Sequence, residues 1–326
     1  MLKRRQFLGA GAGLCAYAAG SFVPVWAQSA PNLGTPTLPS PGFRRTKMGD
    51  VEIISVLDGI ARRPLGEEFV KNAPLAEVKA LLTSQGLPTD YIDVPFTPFV
   101  VIAGGRKVLI DTGLGEFGGP NAGKLLENLR AAGVPASDID TVLISHFHGD
   151  HINGLRWKDG TAAFPNATLM APEAEWAFWM DDGQMSRAPE AMRPAFAGVR
   201  RVFGPVAQQV VQFGDGQEVV PGIRAMAAPG HTPGHTVFLI GDGDRQLLIW
   251  SDTTNKPELF VRHPEWQAVF DMDGAQAAAT RLRLLDMAAS DRLEVAGFHF
   301  PFPATGHIGR TGGGYDFVPL FWRGTL

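Results

Sequence analysis

The sequence is short of cysteine, of basic charge, of long apolar runs and of linker tracts, and each shortage closes off a class of protein. Among 326 residues there is one cysteine, Cys15, so the chain cannot staple itself with a disulfide or hold a metal in a cluster of thiolates. Lysine and arginine number 29 against 33 acidic residues, a formal charge of -4, which argues against nucleic acid or an anionic membrane as partner. Beyond the first thirty positions no apolar run is long enough to cross a bilayer. No Pro/Gly/Ser tract or charge block interrupts the chain beyond Thr46, and no short-period repeat occurs, so the length reads as one domain with a large core.

The first residues are of a different kind. Lys3, Arg4 and Arg5 form a basic start, "FLGAGAGLCAYAAG" is a small-residue apolar stretch, and Val25-Trp26-Ala27 offers a processing site. Residues 1–27 are therefore expected to be an export signal cleaved after Ala27. Arg4-Arg5 followed by Gln6, Phe7 and Leu8 resembles the twin-arginine signal, whose route carries folded proteins, and this implies a periplasmic or secreted protein. Cys15 lies inside that signal, so the mature chain would carry no thiol, and the bulky Leu14 before it does not suit a lipidated cysteine. Loss of the three basic residues takes the formal charge from -4 to -7. Residues 28–42, rich in Pro, Ser and Gly, read as a flexible leader to a domain at 43–326.

Short apolar runs at 51–57, 99–102, 108–110, 141–144, 167–170, 223–227, 237–240 and 247–250 predict strands. Helical patterns at 123–132, 172–180, 189–202 and 274–289 alternate with them, the last with Ala277, Leu282, Leu285 and Met287 on or near one face. Strands and helices repeating in both halves predict an α/β architecture with layers on each side of sheet.

What is abundant is concentrated. "SHFHGDHINGL" places three of the eight histidines and one aspartate in six positions directly after the apolar run "TVLIS". Alternation sends His146 and His148 the same way, and Gly149 permits the bend that brings Asp150 and His151 to a neighbouring point. A metal needs three or four donors, so further ones are expected at other strand ends. "APGHTPGH" supplies His231, "LLIWSD" supplies Asp252 and "VAGFHFPFP" supplies His299.

This ordered set resembles the metallo-β-lactamase superfamily, whose pattern is His-x-His-x-Asp-His, then His, Asp and His across the domain. The resemblance implies an αβ/βα four-layer sandwich with two mixed β-sheets. It assigns His146, His148 and His231 to one metal, Asp150, His151 and His299 to a second, and Asp252 to a bridge between them. Nitrogen and oxygen donors suit two divalent ions, zinc before manganese, iron or cobalt. Asp111 in "VLIDTG" fits a carboxylate orienting ligand histidines, and Thr232 and His235 fit supporting positions. His263 reads as a surface residue and His307 is left open. A hydroxide held between the metals is the expected nucleophile, with Asp150 orienting it and moving its proton.

Beyond the ligands, "LIDTGLGEFGGP", "AAFPNATLMAPEAEWAFW" and "GHIGRTGGGYDFVP" are similar to the methyl parathion hydrolase group and its exported lactonase and aryl esterase relatives, over residues 43 to 321. That similarity implies an aromatic pocket of Phe117, Trp179 and Phe196, while Asn255 replaces an aliphatic residue. No lysine or arginine is evident for a substrate carboxylate, so a small neutral hydrophobic ester is expected: a lactone, an aryl ester or an organophosphate triester. The expected partners are that small molecule, no nucleic acid, no membrane once the signal is removed, and a second copy of the chain in a homodimer. An iron-dependent thiol or persulfide oxygenase of the same fold, and a β-lactamase, are the alternatives.

Overall fold

A computed structural model describes residues 41–243 and 245–321; the expected signal at 1–27 and all but two residues of the expected leader at 28–42 lie outside them. Two seven-stranded sheets form the centre. The first runs, in spatial order, Phe43–Met48, Val51–Val56, Phe99–Ala103, Arg106–Ile110, Thr141–Leu143, Thr168–Pro172 and Val211–Phe213. The second runs Glu218–Val220, Ile223–Ala227, Thr236–Ile240, Leu247–Ser251, Glu294–Gly297, Thr305–Thr311 and Gly314–Pro319. Both are mixed. Arg106–Ile110, Thr141–Leu143, Thr168–Pro172 and Val211–Phe213 pair in parallel, as do Leu247–Ser251 and Glu294–Gly297, while the other pairings are antiparallel.

Strand alternation builds the layers. Ile53, Val101, Val108 and Leu143 face one way into a core shared with Phe238, Ile249 and Val295 of the second sheet. Their neighbours Ile54, Val100, Leu109 and Val142 face the other way onto helices Leu125–Ala131, Glu173–Trp179 and Arg193–Phe203. Helix Gly274–Ser290 covers the second sheet through Leu284, Leu285 and Ala288. Helix, sheet, sheet, helix is the expected four-layer sandwich.

An antiparallel pair of strands, Gly59–Pro64 and Tyr91–Phe96, connected through helix Leu75–Ser84, stands apart from both sheets, over a third core of Phe69, Phe96, Phe260 and Phe298. One expected face is corrected. Ala277 and Leu285 are buried as expected and Met287 is partly buried, but Leu282 is 45% exposed, and the buried stripe of helix Gly274–Ser290 is completed by Thr280, Arg281, Leu284 and Ala288. Among the described residues no helix is long and apolar enough to cross a membrane.

Parallel pairing decides where the chemistry goes. Parallel neighbours finish at the same sheet edge, so Arg106–Ile110 and Thr141–Leu143 deliver Asp111 and the Ser145–His151 segment side by side. In the second sheet Leu247–Ser251 and Glu294–Gly297 do the same for Asp252 and His299. Thr236 donates its N–H to the Ser145 carbonyl at 3.0 Å and Thr97 to the Phe298 carbonyl at 2.9 Å, which ties the surrounding loops together.

Candidate metal centre

His146 and His148 leave the end of the Thr141–Leu143 strand, and Asp150 and His151 follow on a short helical turn, Gly149–Ile152. The bend expected at Gly149 is therefore the start of a helix. The residue is absent from the positive-φ glycines, and an added Cβ would meet only the end of the Asn153 side chain. His231 lies in the loop after Ile223–Ala227, where Gly230 has a φ of 126° and an added Cβ would fall 2.2 Å from the Ala277 backbone nitrogen. Only glycine lets this loop press so closely on the helix.

The structure brings all seven expected donors together, in the overlapping groups His146, His148, His231; His146, His151, Asp252; and Asp150, His151, His299. His148 Nδ1 is 2.9 Å from His231 Nε2 and 3.2 Å from His146 Nε2. Asp252 stands between the outer groups, with Oδ2 3.2 Å from His231 Nε2 and 3.1 Å from His299 Nε2, and Oδ1 3.2 Å from His151 Nε2. Asp150 Oδ2 is 3.4 Å from His299 Nε2 and 3.7 Å from His151 Nε2.

The outer faces of the rings fix what the inner faces can do. His151 Nδ1–H donates to Asp111 Oδ2 at 2.9 Å, His231 Nδ1–H to Asp271 Oδ1 at 3.0 Å and His299 Nδ1–H to the Pro95 carbonyl at 2.7 Å. His146 Nδ1 lies 3.0 Å from Ser145 Oγ. Each of these rings therefore turns Nε2 inward, free to give a lone pair to a metal. His151 Nε2 and Asp252 Oδ1 are buried without a hydrogen-bond partner, a state that calls for a cation. Nitrogen lone pairs converging on shared carboxylate oxygens fit two divalent metals of the zinc type.

Charge balance points the same way. Burial disfavours a charged imidazole throughout, and it prevails at His146, held well below its ordinary value, and at His148, lowered to about 3. At His151 burial is outweighed by Asp252 and Asp111, which hold the ring well above its ordinary value. Burial is also outweighed at His231, which Asp252 and Asp271 raise to about 9, and at His299, which Asp252 and Asp150 raise to about 10. Burial would raise Asp150 and Asp252, but the histidines around them hold both carboxyls below their usual range. The pocket demands positive charge, supplied by protons when no metal is bound.

Asp111 is buried behind His151, and His235 donates from Nδ1 to the Ala228 carbonyl at 2.9 Å while its Nε2 accepts the Asp252 N–H at 3.1 Å. Burial lowers His235 to about 3, which keeps it neutral in that role. Thr232 donates its hydroxyl to Glu175, a fully buried carboxylate that also accepts Gly234 N–H at 2.8 Å and Phe147 N–H at 3.1 Å. Glu175, Asp271 and Arg281 are not legible as site residues in the sequence, although a charged residue on the 277/281/284/288 stripe is a signal of a built contact. His263 pairs with Glu265 and His307 is exposed, both away from the centre.

The donors open on a cavity of about 560 Å³ lined by His148, Asp150, His231, Asp252 and His299 at one side and by Phe69, Ile92, Val94, Phe96, Phe117 and Phe270 at the other. Of the expected aromatic trio only Phe117 lies on it. Trp179 is 1% exposed with its ring 6.3 Å from that of His148, and Phe196 packs on Trp179 at 4.7 Å, so both belong to the core behind the ligand loop. Phe69, Phe96 and Phe270 take their place, supplied by the connection after strand Gly59–Pro64, by strand Tyr91–Phe96 and by the loop before residue 274. The expected lack of a cationic side chain does not hold either: Arg63 and Lys256 are on the wall, the latter 3.2 Å from Glu258.

The family model of the metallo-beta-lactamase superfamily matches residues 95–299. An N-acyl homoserine lactonase of Bacillus sp is 24% identical over 216 residues, covering 60% of this chain and 78% of that protein. Among solved structures, the dizinc quorum-quenching lactonase AidC, in complex with a product, superposes with a TM-score of 0.82 at 27% identity, over 86% of this chain and 98% of that one. The hydrolase AbOPH, of the beta lactamase superfamily, superposes with a TM-score of 0.81 at 27% identity, over 88% and 100%. With its donors in that order, its two mixed sheets in that arrangement and more than half of its length matched, the chain belongs to the metallo-beta-lactamase superfamily.

Proposed function

We propose that this chain is a binuclear metal-dependent hydrolase that opens lactones bearing an apolar arm, with N-acyl homoserine lactones as the first class and aryl esters and organophosphate triesters as secondary substrates. The observation that carries the reading is the pair of donor groups sharing Asp252 at the inner end of a cavity whose wall is largely phenylalanine, valine and isoleucine, with Arg63 and Lys256 the cationic side chains on it. The lactonase names of the relatives and structural neighbours support the substrate class.

His146, His148 and His231 would hold one metal and Asp150, His151 and His299 the other, with Asp252 between them. Bound there, two divalent ions supply electrophilic polarisation of the ester oxygen and a water acidified to near neutrality. The protein's own groups do the rest. Phe96, Phe69 and Phe270 take the substrate's arm out of water and fix the acyl carbon over the donors. Asp150, its side chain 24% exposed on the cavity, is placed to take the proton from the attacking water and return it to the leaving oxygen. Asn255 Nδ2 donates to Asp252 Oδ2 at 3.0 Å and holds that carboxylate in line.

Export through the twin-arginine route, with the mature chain beginning near Gln28, belongs to the same proposal and rests on Arg4-Arg5 and Val25-Trp26-Ala27. A panel of N-acyl homoserine lactones of increasing chain length, aryl esters, organophosphate triesters and β-lactams tests the reading, with oxygen uptake on thiol substrates followed alongside. Lactone opening should dominate the panel. Efficient β-lactam cleavage, or oxygen consumption, without lactone or ester hydrolysis would overturn it. N-terminal sequencing of native protein tests export, and an intact Met1 on protein recovered from the cytoplasm would refute it.

A further inference from the structure

Beneath the donors, two backbone-strained residues from opposite sheets meet. Asp111 follows strand Arg106–Ile110 with a φ of 61°, and Ser251 ends strand Leu247–Ser251 with a φ of 44°. Non-glycine residues persist in this left-handed region only where their surroundings over-determine them. Here the surroundings are a buried polar knot. Ser145 Oγ lies 2.8 Å from Asp111 Oδ2, 2.8 Å from Ser251 Oγ and 3.0 Å from His146 Nδ1, and the Ser251 hydroxyl has Ser145 Oγ at 2.8 Å and Asp111 Oδ2 at 3.2 Å as its acceptors. None of Asp111, Ser145 and Ser251 is more than 1% exposed.

Counting hydrogens gives the knot a direction. His146 faces the other donors with Nε2, so its Nδ1 carries the hydrogen and donates to Ser145 Oγ. The Ser145 hydroxyl then donates to Asp111 Oδ2, and the Ser145 backbone N–H donates to Oδ1 at 2.9 Å. Asp111 Oδ2 also accepts His151 Nδ1–H at 2.9 Å. One carboxylate therefore orients an imidazole from each donor group, His151 directly and His146 through a hydroxyl.

We propose that Ser145 is a positioning residue that joins the two metal sites behind their ligands, making the His146, His148, His231 site dependent on the Ser145 hydroxyl and both sites dependent on Asp111. The inference rests on the binuclear reading and adds an asymmetry to it. Removing the hydroxyl takes the acceptor from His146 and leaves the His151–Asp111 contact in place. Outer partners of metal-bound histidines contribute about 10- to 100-fold in metal affinity.

The test is zinc binding to the full chain, measured by competition with a chromophoric chelator so that activity is not the readout. Wild type should give two binding constants. Ser145→Ala should weaken one of them by about 10- to 100-fold and leave the other within about threefold. Ser145→Thr should restore the pair, and Asp111→Asn should weaken both. If the alanine variant does not fold, Ser145→Cys, whose sulfur is a weak acceptor, must show the same loss at one site. Two zincs bound with both constants unchanged in these variants, or with both falling equally in Ser145→Ala, overturns the link alone. One zinc in wild type overturns the binuclear reading and the link with it.

Discussion

Arg281→Met is the substitution whose effect can be worked most fully from the structure. The guanidinium is fully buried on helix Gly274–Ser290 and donates from Nε to the Thr253 carbonyl at 2.8 Å, from Nη1 to Pro264 and Trp266 carbonyls at 2.9 and 2.6 Å, and from Nη2 to Asp271 Oδ2 at 3.1 Å. Asp271 in turn accepts His231 Nδ1–H. Methionine keeps most of the apolar stem but leaves three carbonyls without their donor and takes the guanidinium from Asp271, whose carboxylate keeps only His231 Nδ1–H and the Ala268 N–H. Hydrogen bonds to a charged group contribute about 1.5–3 kcal/mol each, offset by the desolvation that the guanidinium no longer suffers. Breaking one side of a buried ion pair costs about 3–5 kcal/mol, the figure adopted for this substitution. At about 2–4 °C per kcal/mol for a chain of this order, the melting temperature should fall by roughly 10 °C. Calorimetry in chelator isolates this effect from metal binding. Asp271→Asn and the double variant complete a cycle, in which the double loss should be smaller than the two single losses together by about 0.5–3 kcal/mol. A melting point within about 2 °C of wild type, or strictly additive losses, would refute the reasoning.

Trp179→Ala should destabilise by about 3–5 kcal/mol in urea titration and leave KM within twofold, since the ring is core and not cavity wall. A raised KM with unchanged stability would return Trp179 to the pocket. Phe117→Ala should raise KM for long-chain and aryl substrates by about fivefold, roughly 1 kcal/mol for a ring already 41% exposed, with metal content unchanged. After metal removal His231 and His299, at about 9 and about 10 in the folded chain against an ordinary 6.5, carry protons held by Asp252 and its neighbours. Groups raised in this way stabilise fully below about 6.5 and lose that contribution as pH climbs through 9 and 10. The metal-free melting point should therefore fall from pH 7 to pH 10, and one that rises over that interval contradicts the assignment.

Much of the site was legible because its donors are few, polar and placed after apolar strands. Ile223–Ala227 begins and ends where its apolar run predicts, and the 247–250 run differs from Leu247–Ser251 by one residue. Strands Phe43–Met48 and Thr305–Thr311 escaped because their exposed faces carry Arg, Lys, Thr and Gly in place of clean alternation. The strand pair Gly59–Pro64 and Tyr91–Phe96 was hidden by its prolines and charges, and with it went the cavity wall that Phe96 forms together with Phe69 and Phe270 from neighbouring loops. Trp179 and Phe196 were misplaced because an aromatic side chain reads alike whether it lines a cavity or packs behind one. Ser145, Glu175, Asp271 and Arg281 act through contacts between separate loops and helices that only the folded chain brings together, and no spacing along the chain encodes them.

Mass-spectrometric metal counting on fully active purified protein tests whether two metal ions share Asp252. Wild type should carry two divalent ions per chain, and Asp252→Ala should lose both occupancy and turnover. A reproducible count of one ion per chain at full activity, or an Asp252→Ala enzyme that keeps two ions, would contradict it.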